Sequence, residues 1–135
     1  MIFILPQQEG SPHTNCLSVE GMDACHKIAD FFEHHNNLYI YTSRPNYTAE
    51  DITSIQTASM IGSLLKQPIN IIKSLKEYPP NYDTFIHLII WNKNEIPEIL
   101  SSYFHNHFNW DESTHRGAVI INEKGWTFQE NYIPI

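Results

Sequence analysis

Short apolar runs alternate with helically periodic stretches along most of this chain, and that alternation narrows the folds open to it. Ile2 to Leu5 reads as a buried strand from its β-branched content and its abrupt polar end. Ser18 is a good N-cap for a helix running to about Glu33, with Cys25, Ile28, Ala29 and Phe32 as its buried stripe. Leu38 to Tyr41 is a second strand, ending in Thr42-Ser43. Thr48-Ala49-Glu50-Asp51 resembles a capping box opening a helix to about Lys66, with Ile52, Ile55, Ser59, Gly62 and Leu65 expected inside. Ile69 to Ile72 gives a third strand, and Phe85 to Trp91 a fourth that is apolar except for His87. A helix over Glu95 to Tyr103 follows, then a hairpin of Gly117 to Asn122 and Trp126 to Asn131 turning at Glu123-Lys124-Gly125. Such alternation implies a mostly parallel sheet covered by helices.

A chain of 135 residues suits one domain, here 1–135, with a single core. Its 41% hydrophobic and 13% aromatic content is that of a folded globule. The net charge of −7 opposes binding to nucleic acid or to an anionic membrane surface, both of which need a basic face. No apolar run approaches the ~20 residues of a membrane span, and the N-terminus lacks the pattern of a signal peptide, so a cytoplasmic protein is expected. Two cysteines, Cys16 and Cys25, are too few for a disulfide framework and are expected to be reduced.

Four local signatures, in this order, resemble the histidine phosphatase superfamily, also called phosphoglycerate mutase-like. LSVEG (Leu17 to Gly21) is similar to the L-S/T-x-x-G that opens the family's first helix. YTS (Tyr41 to Ser43) followed by IQTA (Ile55 to Ala58) is similar to its T-S…Q-T-A segment, and GAVIINEKGWTF to its last hairpin. The resemblance spans nearly the whole chain and is to the small members, which include protein-phosphohistidine phosphatases. It implies a three-layer α/β/α sandwich around a doubly wound, mostly parallel sheet of about six strands, one of them antiparallel. No cofactor is implied.

The family's catalytic groups are replaced. Its first strand ends in R-H-G-E, whose His attacks the phosphoryl group; here the segment is Pro6-Gln7-Gln8-Glu9, which puts Gln7 in the nucleophile's place. Its Arg three residues before Q-T-A is Thr53 here. The second His, from S-H-G after the fourth strand, is matched by Asn92 in Trp91-Asn92-Lys93. A phosphoenzyme needs a lone pair near neutral pH, which imidazole has and a carboxamide lacks. Cationic clamps must also meet the charge on the transferring group. The resemblance therefore implies a pseudoenzyme acting by protein or ligand binding, with Gln7, Gln8, Glu9, Arg44, Thr53, Asn92 and Lys93 as its vestigial pocket. The rival is an active phosphatase using rearranged groups, with His13 as replacement nucleophile beside Glu9 and Arg44.

His105, His107, Asp111 and His115 form the densest set of metal-ligand types, but their spacing matches no zinc motif, so no metal is expected. His87, inside an apolar strand, is expected to be a hydrogen-bonded core residue. Between the third and fourth strands only Lys73 to Thr84 remains, broken by Pro79-Pro80, so the crossover helix is expected to be reduced or absent. A bare sheet face would then favour a protein partner or a homodimer through Ile69, Ile71, Leu75 or Tyr78.

Overall fold

The computed structural model describes residues 1–35, 37–44, 49–74, 85–104, 115, 117–122 and 125–129, with backbone alone at 49–51, 99, 102–104 and 126. Its elements are β1 (Ile2–Pro6), α1 (Val19–Phe32), β2 (Leu38–Ser43), α2 (Ala49–Leu65), β3 (Ile69–Ile72), β4 (Ile86–Trp91), α3 (Ile96–Phe104), β5 (Ala118–Asn122) and β6 (Gly125–Gln129). The strands form one sheet in the order β3-β2-β4-β1-β5-β6. β1, β2, β3 and β4 are mutually parallel where they pair, and β5 runs antiparallel to both β1 and β6. The strand at Leu38 is thus interior, and β5 is the antiparallel strand, as the family resemblance and the alternation of elements together imply.

Alternation along the strands sorts side chains to two helix-covered faces. On one, Phe3, Leu5, Ile40, Leu88 and Ile90 pack with Cys25, Ile28 and Phe32 of α1 and Ala58 and Ile61 of α2. On the other, Ile2, Ile4, Tyr41, Ile89 and Trp91 pack with Ile96 and Leu100 of α3. This is the three-layer α/β/α arrangement. Ser18 caps α1 by accepting from the Gly21 backbone N–H at 3.0 Å, and the expected stripe of that helix is buried. His87 lies in the core with its Nδ1 3.2 Å from the Tyr41 hydroxyl. Gly125 opens β6 at φ +129°, a conformation that favours glycine. No described helix is long and apolar enough to cross a membrane.

The buried face of α2 differs from the expected stripe. Thr53, Ser54, Thr57, Ala58, Ile61 and Gly62 are buried, Ile52, Ile55 and Leu65 are half-buried, and Ser59 is exposed. Hydroxyl side chains take the inward positions because they find partners there: Thr57 Oγ1 donates to the Thr53 carbonyl oxygen at 2.7 Å and accepts from the Gln8 backbone N–H at 3.0 Å. A satisfied hydroxyl loses its burial penalty, and a hydropathy stripe misses it.

Ile69, on the face covered by α2, packs against the core, while Ile71 is 52% exposed at the sheet edge. The capping box at Thr48, the crossover from Leu75 to Thr84, Tyr78 with it, and the turn at Glu123-Lys124 lie outside the described residues.

The two cysteines are free and differ in environment. Cys16 is exposed, whereas burial pushes the Cys25 thiol up to about 12 against a hydrogen bond with Thr57. The thiolate is the reactive species. A disulfide reagent at neutral pH is therefore expected to modify Cys16 in the native protein and Cys25 only after denaturation, as read by absorbance with and without urea.

Candidate functional site

In an open α/β sheet, ligands sit beyond the carboxyl ends of the strands where the winding reverses. Here that place is between β1 and β4. The Gln7 backbone N–H donates to the Trp91 carbonyl oxygen at 3.1 Å, and the Lys93 backbone N–H donates to Gln7 Oε1 at 2.8 Å. Because an N–H needs an acceptor, that second bond fixes which end of the Gln7 amide is oxygen. Gln8 is fixed in the same way, its Nε2 donating to the carbonyl oxygens of Pro6 at 3.2 Å and His115 at 3.0 Å. His115 returns the contact through its ring, with Nδ1 2.7 Å from the Gln7 carbonyl oxygen.

These residues line a polar cavity of about 190 Å³. Gln7, Gln8, Thr53 and Lys93 of the expected pocket contribute to it, together with His115 and the loop residues Gly10, Ser11, Thr14 and Asn15. Three expected residues stand elsewhere. The Glu9 side chain is exposed, and its carbonyl faces α1. Arg44 is exposed beyond the end of β2, its backbone N–H bonded to the Ile72 carbonyl oxygen at 3.0 Å. Asn92 is buried and turns the chain, Oδ1 accepting from the Asn94 backbone N–H at 2.9 Å. His13 is exposed on the loop, its backbone N–H bonded to Ser11 Oγ, and it is absent from the described lining.

The imidazole in the cavity is therefore His115, not His13. Burial pushes its proton affinity below the ordinary imidazole range, and the positive charge of Lys93 acts the same way. The Gln7 carbonyl and Glu9 oppose the shift without reversing it. Contact with the Gln7 carbonyl oxygen, which can only accept, places a proton on Nδ1. No local pattern announces this: His115 is joined to Gln7 and Gln8 across more than a hundred residues of sequence. In the sequence it belongs to a metal-type cluster whose other members, His105, His107 and Asp111, lie outside the described residues. Among the described residues no group of three potential ligands comes together.

The two best-matched motifs act as scaffold. Ser18 donates twice to the Glu9 carbonyl oxygen, from its backbone N–H at 2.9 Å and from Oγ at 3.1 Å. A Cβ on Gly21 would lie 2.2 Å from that same oxygen, so only glycine lets α1 approach the loop. From IQTA, Gln56 Oε1 accepts the Leu17 backbone N–H at 2.9 Å, Thr57 holds the Gln8 backbone N–H, and Ala58 fills the core. LSVEG and IQTA thus hold the loop after β1 from two sides.

No protein-family model matches the sequence, and no curated protein matches it. Solved structures do. The chain is similar to a "putative alpha-ribazole-5'-P phosphatase" from Escherichia coli at 11% identity and TM-score 0.55, over 96% of this chain and 94% of that one. A second likeness, to a "putative phosphohistidine phosphatase SixA" from Agrobacterium tumefaciens, has 14% identity and TM-score 0.42, over 95% and 93%. The first likeness shows a shared fold, an α/β phosphoglycerate mutase-like architecture.

The clasp on the Glu9 carbonyl is testable. Gly21→Ala should lower unfolding stability by about 1–3 kcal/mol through overpacking, despite the better helix propensity of alanine. Ser18→Ala should cost about 1 kcal/mol, the value of a helix cap. Urea unfolding followed by circular dichroism checks both.

Proposed function

We propose that this chain is a histidine phosphatase-fold protein that binds a small polar ligand and does not transfer phosphoryl groups. The observation that carries this reading is the use made of the two carboxamides at the positions the resemblance gives to histidines. Gln7 and Asn92 each accept a backbone N–H: Gln7 from Lys93, which staples the end of β1 to the turn after β4, and Asn92 from Asn94, which closes that turn. Neither amide has a nucleophilic lone pair. Among the described residues of the cavity Lys93 is the sole cation, against the several clamps that a transferring phosphoryl group needs. Losing even one preorganised donor commonly costs ~10²–10³ in rate.

The rival hydrolase built on His13, Glu9 and Arg44 has less support, because none of those side chains lies in the described cavity lining. Turnover of p-nitrophenyl phosphate should be undetectable for the natural protein and for Gln7→His, since one imidazole does not replace the missing clamps. No acid-labile phosphohistidine should form with phosphodonors. Metal-independent turnover that is lost in His13→Ala and kept in Gln7→Ala would establish the rival instead.

A second mode of binding, to a partner protein or another copy of the chain, is supported by Ile71, an apolar side chain 52% exposed on edge strand β3. Burying apolar surface yields about 25 cal/mol per Å², and the net charge of −7 opposes self-association only within a screening length of about 8 Å. Sedimentation at high micromolar concentration should show a dimer that Ile71→Asp weakens. A clean monomer of the natural protein removes self-association through this edge.

A further inference from the structure

The cavity presents hydrogen-bonding groups of opposite polarity. The Gln7 carbonyl can only accept, so the 2.7 Å contact puts the proton of His115 on Nδ1. Nε2 of the neutral ring is then a lone-pair acceptor, and among the described residues it has no partner. Gln7 is 3% exposed, and with Oε1 committed to the Lys93 backbone N–H its Nε2 is a pure donor, again without a partner among the described residues. Buried polar groups are ordinarily paired with protein, water or ligand. At about 190 Å³ the cavity is smaller than the roughly 300–1,000 Å³ of sites for drug-sized molecules.

We infer that His115 Nε2 and the Gln7 amide together select a small uncharged molecule offering a donor to the imidazole and an acceptor to the amide. This rests on the ligand-binding reading above and specifies the ligand's chemistry. A phosphomonoester dianion carries acceptors alone, so it meets the Gln7 donor and is repelled by the Nε2 lone pair. A primary carboxamide or an alcohol satisfies both groups. Among the described residues the charged groups acting on the ring are Lys93, which disfavours its protonation, and Glu9, which favours it. Acidification adds a proton at Nε2 while the bond from Nδ1 to Gln7 persists. Every group at this end of the cavity then donates, and selectivity passes to the anion.

The test uses the intact chain labelled with ¹⁵N, with acetamide and methyl phosphate as probes. At about pH 7.5, above the ordinary imidazole value of ~6.5, the His115 ring should show the Nδ1–H tautomer. Acetamide should shift His115 Nε2 and the Gln7 side-chain amide together, while methyl phosphate leaves both in place. Acidification that protonates Nε2, with its midpoint below the ordinary imidazole value, should reverse the order of the two probes. His115→Phe, which keeps a ring and removes the acceptor, should weaken acetamide binding about tenfold at the higher pH. The wild-type ring spectra decide the matter even where that variant folds poorly. An Nε2–H tautomer, acetamide shifts at Gln7 with Nε2 unmoved, or preference for methyl phosphate at the higher pH overturns the selectivity and leaves ligand binding standing. Silence of every cavity residue to both probes overturns selectivity and ligand binding together.

Discussion

The carbonyl oxygen of Glu9 holds the functional end of this molecule in place. It receives two hydrogen bonds from Ser18, and the first turn of α1 comes so close that residue 21 has no room for a Cβ. From the other side, α2 offers the Thr57 hydroxyl to the Gln8 backbone N–H and the Gln56 carbonyl to Leu17. The loop after β1 is therefore fixed by helices from one layer of the sandwich. Its outer surface, where Gln7 and Gln8 line the cavity, is left to whatever the carboxyl ends of β1 and β4 contribute.

Neutral side chains turn this region inward. A cluster of arginines and histidines gathered around an absent anion repels itself, whereas carboxamides satisfy each other and the backbone. Gln7 and Gln8 bond to the backbone in this way, tying β1 to the turn after β4 and to His115, while Asn92 closes its own turn. The scaffold motifs and the carboxamides act on one segment: LSVEG and IQTA hold the loop after β1, and Gln7 and Gln8 join it to the turn after β4 and to His115.

The cavity is nevertheless not inert in polarity. Bonds from the protein to Gln7 Oε1 and to the two Nε2 hydrogens of Gln8 use up much of the amide capacity. The His115 ring is oriented by a single carbonyl, which sets its tautomer and so the sense of any further hydrogen bond. A neutral imidazole in this position behaves as a directional acceptor, unlike the diffuse positive field of a phosphate site.

Local chemistry was enough to place the strands, since Ile2 to Leu5 and, His87 aside, Ile86 to Trp91 are apolar at both faces and a sheet covered on both sides requires that. It was also enough for the start of α1, where Ser18 supplies a cap within three residues. The family resemblance, not local chemistry, is what groups Gln7, Gln8, Thr53 and Lys93, which the structure brings to one cavity. The inward face of α2 was beyond local chemistry, because Thr57 is buried only by virtue of partners at Thr53 and Gln8. So was the exchange of His13 for His115. A histidine's sequence neighbours do not reveal whether a carbonyl more than a hundred residues away will meet its ring, and only the packed sheet brings Gln7 to it. Burial and hydrogen-bond pairing are long-range properties; propensity and periodicity are local ones.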